Sequence, residues 1–461
     1  MIKKVILMSL VLSQLAISCS SDENNDETKP ETELTMEEQI AELVKKSYSE
    51  LTPEQQKVKL EAEANEMLKQ LDKTKNSGAI EALENLSRLL DQNHIEIFDG
   101  KTRNGVEEIL SISGVYGVYT WDNAKKIWVK TASTTELKFV FPAKRSQTAN
   151  NASVSSKSTS SDVKFKNIDT YATWTYNPET GYTQNTPDVY DWLYLPTSVD
   201  AILTIDNAQA ATLNQTAKYS NGKQTPDDFT YKVTLNDGYT WEMSSKKGTQ
   251  NTAKASLVYN TKTLIDFNAG STASIDALID NDELVQYRGK ANGLFKLMDN
   301  FVIVADMDLA TEAADKISLE KSLVYPESLD YKNPANNYKA YYTALNAYEL
   351  KKSQGEAANF NKNIKLILVS KKDGTKIAEI IKHSEKVGSD FTFNLPIWNA
   401  EYEYWNNWNQ TGEVFARPYL DEVLYLKFND KTEVSMETYF SAGFSTFESK
   451  FEDFIKAFEK E

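Results

Sequence analysis

The stretch Phe229-Thr230-Tyr231-Lys232-Val233-Thr234-Leu235-Asn236-Asp237-Gly238-Tyr239-Thr240-Trp241-Glu242-Met243 decides the fold class. Its large apolar side chains recur at every second position on both sides of an Asn-Asp-Gly turn. That period matches a strand with one buried face, and the turn residues tolerate the left-handed backbone a hairpin needs. The segment therefore predicts a β-hairpin. On either side of it, Ala201-Ile202-Leu203-Thr204-Ile205 and Ala255-Ser256-Leu257-Val258-Tyr259 share a spacing, and each precedes a polar turn and a second strand. Phe301 to Ala305 reads as a strand buried on both faces. Successive strands without long helices between them predict an antiparallel sheet over 164–308.

The same reading extends outward. Residues 309–323 are expected to be helical, and Asn333-Pro334 starts a helix to about 353 with Tyr338, Tyr341, Tyr342, Leu345 and Tyr348 on one side. Strands return at 364–370 and 376–381, and a last hairpin at 423–428 and 433–437. Ser445-Thr446-Phe447-Glu448 is a capping box for a C-terminal helix over 445–459. Towards the N-terminus, 116–121, 127–130 and 137–141 predict a small β region within 93–142. The Ser/Thr/Asn-rich stretch 143–163 reads as a linker, which leaves 164–461 as the main antiparallel β domain with packed helices. Residues 36–92 show helical spacing. Thr52-Pro53-Glu54-Gln55 opens the middle helix and Asn76-Ser77-Gly78 closes it, so three short helices packed up-down as a bundle are expected. The fold class is α+β: an N-terminal three-helix region, a mainly antiparallel β region and a C-terminal helix.

Composition limits the function. The chain has 461 residues, 40% hydrophobic and 26% charged, with 51 Lys plus Arg against 67 Asp plus Glu and a net charge of -16. Nucleic acid is excluded as a partner, because it requires a basic face. Mean hydropathy is -0.52, and only the N-terminus carries a long apolar run, which excludes a multi-helix membrane protein. With two histidines, His94 and His383, and one cysteine, Cys19, a His-rich or Cys-rich metal site and an internal disulfide are excluded. Phosphate loops, nucleotide fingerprints, GxSxG and HExxH are missing from the sequence. The acidic runs Asp280-Asn281-Asp282-Glu283 and Asp306-Met307-Asp308 do not complete a calcium loop and read as an acidic turn and a strand end. The expectation is a non-catalytic protein without metal or cofactor.

The N-terminus supplies a destination. Lys3 and Lys4 precede an apolar run from Val5 to Ile17, the pattern of a signal peptide over 1–18. The run ends Leu15-Ala16-Ile17-Ser18-Cys19. This resembles the lipobox of bacterial lipoproteins, in which the cysteine is acylated and becomes the first mature residue. Ser20-Ser21-Asp22-Glu23 then resembles the export signal of outward-facing lipoproteins of Bacteroidota. The resemblance implies an outer-membrane protein held by acyl chains on Cys19, with 19–35 as an acidic flexible tether.

One segment suggests a ligand. Residues 398–419 carry Trp398, Tyr402, Tyr404, Trp405, Trp408 and Tyr419 among asparagines. Aromatic faces suit sugar rings and amides suit hydroxyls. The competing reading is a loop whose aromatics seal one end of the sheet. The function expected is thus a surface-displayed binding or scaffold module whose partners are the membrane, through Cys19, and a glycan or another surface protein. Three alternatives stand beside a plain scaffold: glycan capture by 398–419, carriage of an apolar ligand on a curved sheet, and an unrecognised hydrolase.

Overall fold

A computed structural model describes residues 36–71, 73, 76–93, 95, 112–281, 284–298, 300–406 and 411–440. The expected signal peptide, Cys19, the tether, His94 and the 445–459 helix lie outside these residues.

The fold is α+β. One sheet of 16 strands runs β2-β1-β3-β4-β7-β8-β9-β10-β11-β12-β13-β14-β15-β16-β21-β22. It opens with β1 (Gly117–Asp122), β2 (Ile127–Thr131), β3 (Leu137–Phe141) and β4 (Ala152–Thr170). From β7 (Val189–Ile205) it proceeds as a meander through β8 (Ala208–Lys218), β9 (Asp228–Leu235), β10 (Tyr239–Lys246), β11 (Asn251–Tyr259), β12 (Lys262–Ser271), β13 (Lys290–Leu297) and β14 (Phe301–Asp308). It then takes in β15 (Ile364–Ser370), β16 (Thr375–Lys386), β21 (Leu420–Lys427) and β22 (Glu433–Ser435). The β9–β10 hairpin places Val233 opposite Trp241 and Tyr231 opposite Met243, the register its alternation predicts. Asp206 and Asn207, both left-handed, form the two-residue turn between β7 and β8. Among the described strands of this sheet, pairing is antiparallel except between β1 and β3, which run parallel because β2 folds back to the outer edge.

Two expectations are corrected. Residues 143–163 are not a linker along their whole length, since β4 begins at Ala152 and pairs with both β3 and β7. The segment is poor in apolar residues, yet Ala152, Val154 and Ser156 alternate into the buried face. Its outward hydroxyls find cross-strand partners, as Ser153 does with Thr204 at 2.9 Å. A strand can therefore be built from small polar residues, and it joins the 93–142 and 164–461 regions into one sheet.

The N-terminal helices, secondly, cover the sheet instead of forming a bundle. They are α1 (Met36–Lys45), α2 (Pro53–Leu71) and α3 (Gly78–Gln92). Along β14, Phe301 and Ile303 meet Leu60 of α2, while Val302 and Val304 meet Ile40 of α1. Alternate residues of a strand point to opposite faces, so α1 and α2 clamp β14 from its two sides. Between them the chain pairs with the start of β16: Ser49 N–H donates to the Lys376 carbonyl at 2.8 Å, and Lys376 N–H to the Ser47 carbonyl at 2.9 Å. The reciprocal Thr52–Gln55 box caps α2. Further on, α3 buries Ala79, Ala82, Leu86 and Leu89 in a core shared with Trp121, Phe139, Leu203 and Leu257.

After β14 come α5 (Leu309–Ser322) and α6 (Tyr338–Asn363), preceded by the short α4 (Ile275–Asp280). The longer helix, α6, packs on β16 and β21. Asn361 bonds both backbone groups of Lys382, just past Ile380, the last β16 residue that pairs with β15. The described chain ends with α7 (Met436–Phe440).

Candidate functional site

The aromatic segment is a two-tier hairpin inserted between β16 and β21. Its inner tier pairs β17 (Phe391–Asn394) with β20 (Val414–Arg417), and its outer tier pairs β18 (Ile397–Asn399) with β19 (Tyr404–Asn406). The Asn399 side chain accepts from the N–H groups of Glu401 and Tyr402, at 3.0 and 3.1 Å, and so fixes the turn at the tip.

Two of the sequence-predicted residues serve mainly to seat this hairpin. Trp398 and Trp405 lie directly opposite each other, with ring centroids 5.8 Å apart in an edge contact. Trp405 also meets Tyr338 at 4.9 Å, and its indole N–H donates to the Asn333 carbonyl at 2.8 Å. In the inner tier, Tyr342 of α6 meets Phe393 at 4.8 Å and Phe415 at 5.9 Å. Burial among these rings pushes the Tyr338 and Tyr341 phenols above their ordinary pKa. Trp405, and through it Trp398, thus packs against the segment that leads into α6.

The other predicted residues face outward. Tyr402 is 66% exposed and lies 6.3 Å from Tyr404, which is also exposed. Tyr419 is exposed too, but it stands at the base, where its carbonyl accepts from Val387 N–H at 2.9 Å. Trp408 lies outside the described residues. Sequence reasoning missed Phe391 and Phe393, whose alternation before Pro396 was a legible strand signal. Phe391 is exposed at the foot of the hairpin and stacks with Phe393 at 5.6 Å.

The remaining candidates have structural partners. Asp308 caps α5, accepting from Thr311 N–H at 3.0 Å, and this bond holds its carboxyl below the usual range. Asp280 pairs with Lys223 at 3.6 Å. His383 meets Glu433 at 2.7 Å on the strand surface. Among the described residues, no group of three His, Cys, Asp or Glu could hold a metal ion, and no helix is long and apolar enough to cross a membrane.

Set against family models, curated proteins and solved structures, the chain matches none of them.

Proposed function

We propose that the chain is a non-catalytic binding module, held at the outer-membrane surface by acyl chains on Cys19, that captures glycan on the 391–417 hairpin. One observation carries the ligand reading. The hairpin is seated through Trp405 of its outer tier and Phe393 of its inner tier, while it leaves Tyr402 and Tyr404 facing out beside Asn399. Rings held on a rigid support bind at a low entropic cost, and tyrosines combine an apolar face with a polar edge. Carriage of an apolar ligand draws no support from β13–β16, whose apolar side chains meet the chain's own helices on both faces.

The test has two arms. Labelled palmitate should enter the full chain in cells and not its Cys19→Ala variant; equal labelling would overturn the anchor. In gels containing soluble polysaccharide, Tyr402→Ala/Tyr404→Ala should migrate faster than the parent. Equal mobility across a glycan panel would overturn capture by this hairpin.

A further inference from the structure

A second aromatic surface lies far along the chain from the first. The strands β4 and β7 are much longer than their neighbours. β3 reaches β4 only at 152–156, and β8 reaches β7 only at 198–205. Beyond these limits the two strands run on as a ribbon, extended by β5 (Thr173–Asn177) and β6 (Gly181–Thr186). Trp174 pairs with Gln184 and Tyr176 with Tyr182, so these four side chains share one face. Trp174, Tyr176 and Tyr182 are 56%, 60% and 74% exposed, and the two tyrosine rings lie 5.0 Å apart. On the other face Thr175 accepts from Asn185 at 2.7 Å.

We propose that this ribbon tip is a platform for a neutral glycan. Three arguments select that occupant. First, residues 173–186 contain five threonines, two asparagines and a glutamine beside the three rings, and no aliphatic side chain larger than proline. Insertion into a membrane draws on aliphatic and cationic groups, whereas stacking on sugar rings with hydroxyl and amide contacts draws on this set. Second, over both strands of the ribbon end, 166–192, the one cation Lys166 stands against Asp169, Glu179, Asp188 and Asp191, which leaves the tip acidic. Anionic polymers and anionic lipid are repelled, and so is the same tip of a second copy. Third, a two-stranded face five residues long measures roughly 10 by 17 Å. That area is far below the roughly 800 Å² per partner of a stable protein interface, and it fits a few pyranose rings.

The proposal does not depend on the 391–417 hairpin, so the test uses the full-length chain carrying Tyr402→Ala/Tyr404→Ala as its reference. Affinity gels would contain hydroxyethyl-cellulose, xyloglucan or galactomannan, with polygalacturonate as the anionic comparison. At least one neutral polymer should retard the reference, and polygalacturonate should not. Adding Trp174→Ala/Tyr182→Ala should weaken that retardation at least tenfold, while Thr175→Ala/Thr183→Ala on the opposite face should leave it intact. Absence of retardation by all three neutral polymers would overturn the proposal, as would retardation unchanged by removal of the rings. Ring-dependent co-sedimentation with phosphatidylcholine vesicles would reassign the tip to a membrane, and ring-dependent dimerisation in sedimentation would reassign it to self-association.

Discussion

The indole N–H of Trp405 donates to the backbone carbonyl of Asn333, a residue 72 positions earlier, at 2.8 Å. This bond and the edge contact with Tyr338 join the outer tier of the hairpin to the segment that leads into α6. Trp405→Ala removes a hydrogen bond contributing about 1 kcal/mol and an aromatic pair contributing roughly another. The loss is local, so proteolytic cutting within 391–417 should rise about thirtyfold while Tm moves by no more than about 2 °C. Equal cutting of parent and variant would show that the hairpin is held by other contacts.

Gly238 and Asn260 lock two adjacent turns together. The Asn260 N–H donates to the Gly238 carbonyl at 2.8 Å, and a Cβ added at Gly238 would lie 2.1 Å from Asn260 Oδ1. Gly238 also has φ +102°, a backbone conformation unfavourable to L side chains. Gly238→Ala should therefore destabilise by roughly 2 kcal/mol or more in urea unfolding. Gly222, with φ +68° and open space around its hydrogen, bears the backbone strain alone, so Gly222→Ala should lose only about 1 kcal/mol. Asn260→Gly should restore part of the Gly238→Ala loss; no restoration would place the strain elsewhere.

Alkaline pH should unfasten α7 from α2. The Tyr439 hydroxyl donates to the Pro53 carbonyl at 2.7 Å and is buried, and that burial, with Glu54 and Glu61 nearby, raises its pKa. Tyr48, half-buried beside Glu379 and donating to it at 2.5 Å, is raised in the same way. A phenol whose pKa is raised on folding contributes stability that is fully present below the unfolded value, near 10, and lost as pH rises through the folded value. Stability should accordingly hold to about pH 10 and fall above it. Tyr439→Phe should lose about 1 kcal/mol at neutral pH and show a shallower fall at high pH. An unchanged alkaline slope would exclude Tyr439 as a contributor.

The meander was legible because its signals are local. Alternation in 229–243 and left-handed turn residues such as Asn207 and Asn260 determine period and register within a dozen residues. What escaped was set by distant partners. Ser153 and Ser155 look like linker residues until Thr204 and Glu136 stand across from them. The periodicity of α1 and α2 shows which side chains are buried, but Ile40 and Leu60 do not indicate whether another helix or a sheet covers them. The aromatic segment was visible as composition alone. That Trp405 is seated and Tyr402 free depends on Asn333 and Tyr338, which no local pattern links to it. The ribbon tip around Trp174 was overlooked because a strand normally buries such rings, and here no neighbouring strand reaches them.

The clamp on β14 makes the arrangement of helices measurable. Leu60 is 3% exposed among Phe301, Leu368 and Ile380, so Leu60→Ala should destabilise by about 2–4 kcal/mol. Val58, two residues earlier on the solvent side of the same helix, should lose less than about 0.5 kcal/mol on change to Ala. Ile40 belongs to a separate cluster with Leu294, Val302 and Ile367, across the sheet from Leu60. With a strand between them and no partner in common, Ile40→Ala and Leu60→Ala should add to within about 0.5 kcal/mol. Helices packed on one another as a bundle would place the two side chains in one core and couple them by about 1 kcal/mol or more. A double-mutant cycle in urea therefore separates the two architectures, and a coupling of that size would overturn the placement of α1 and α2 on opposite faces of β14.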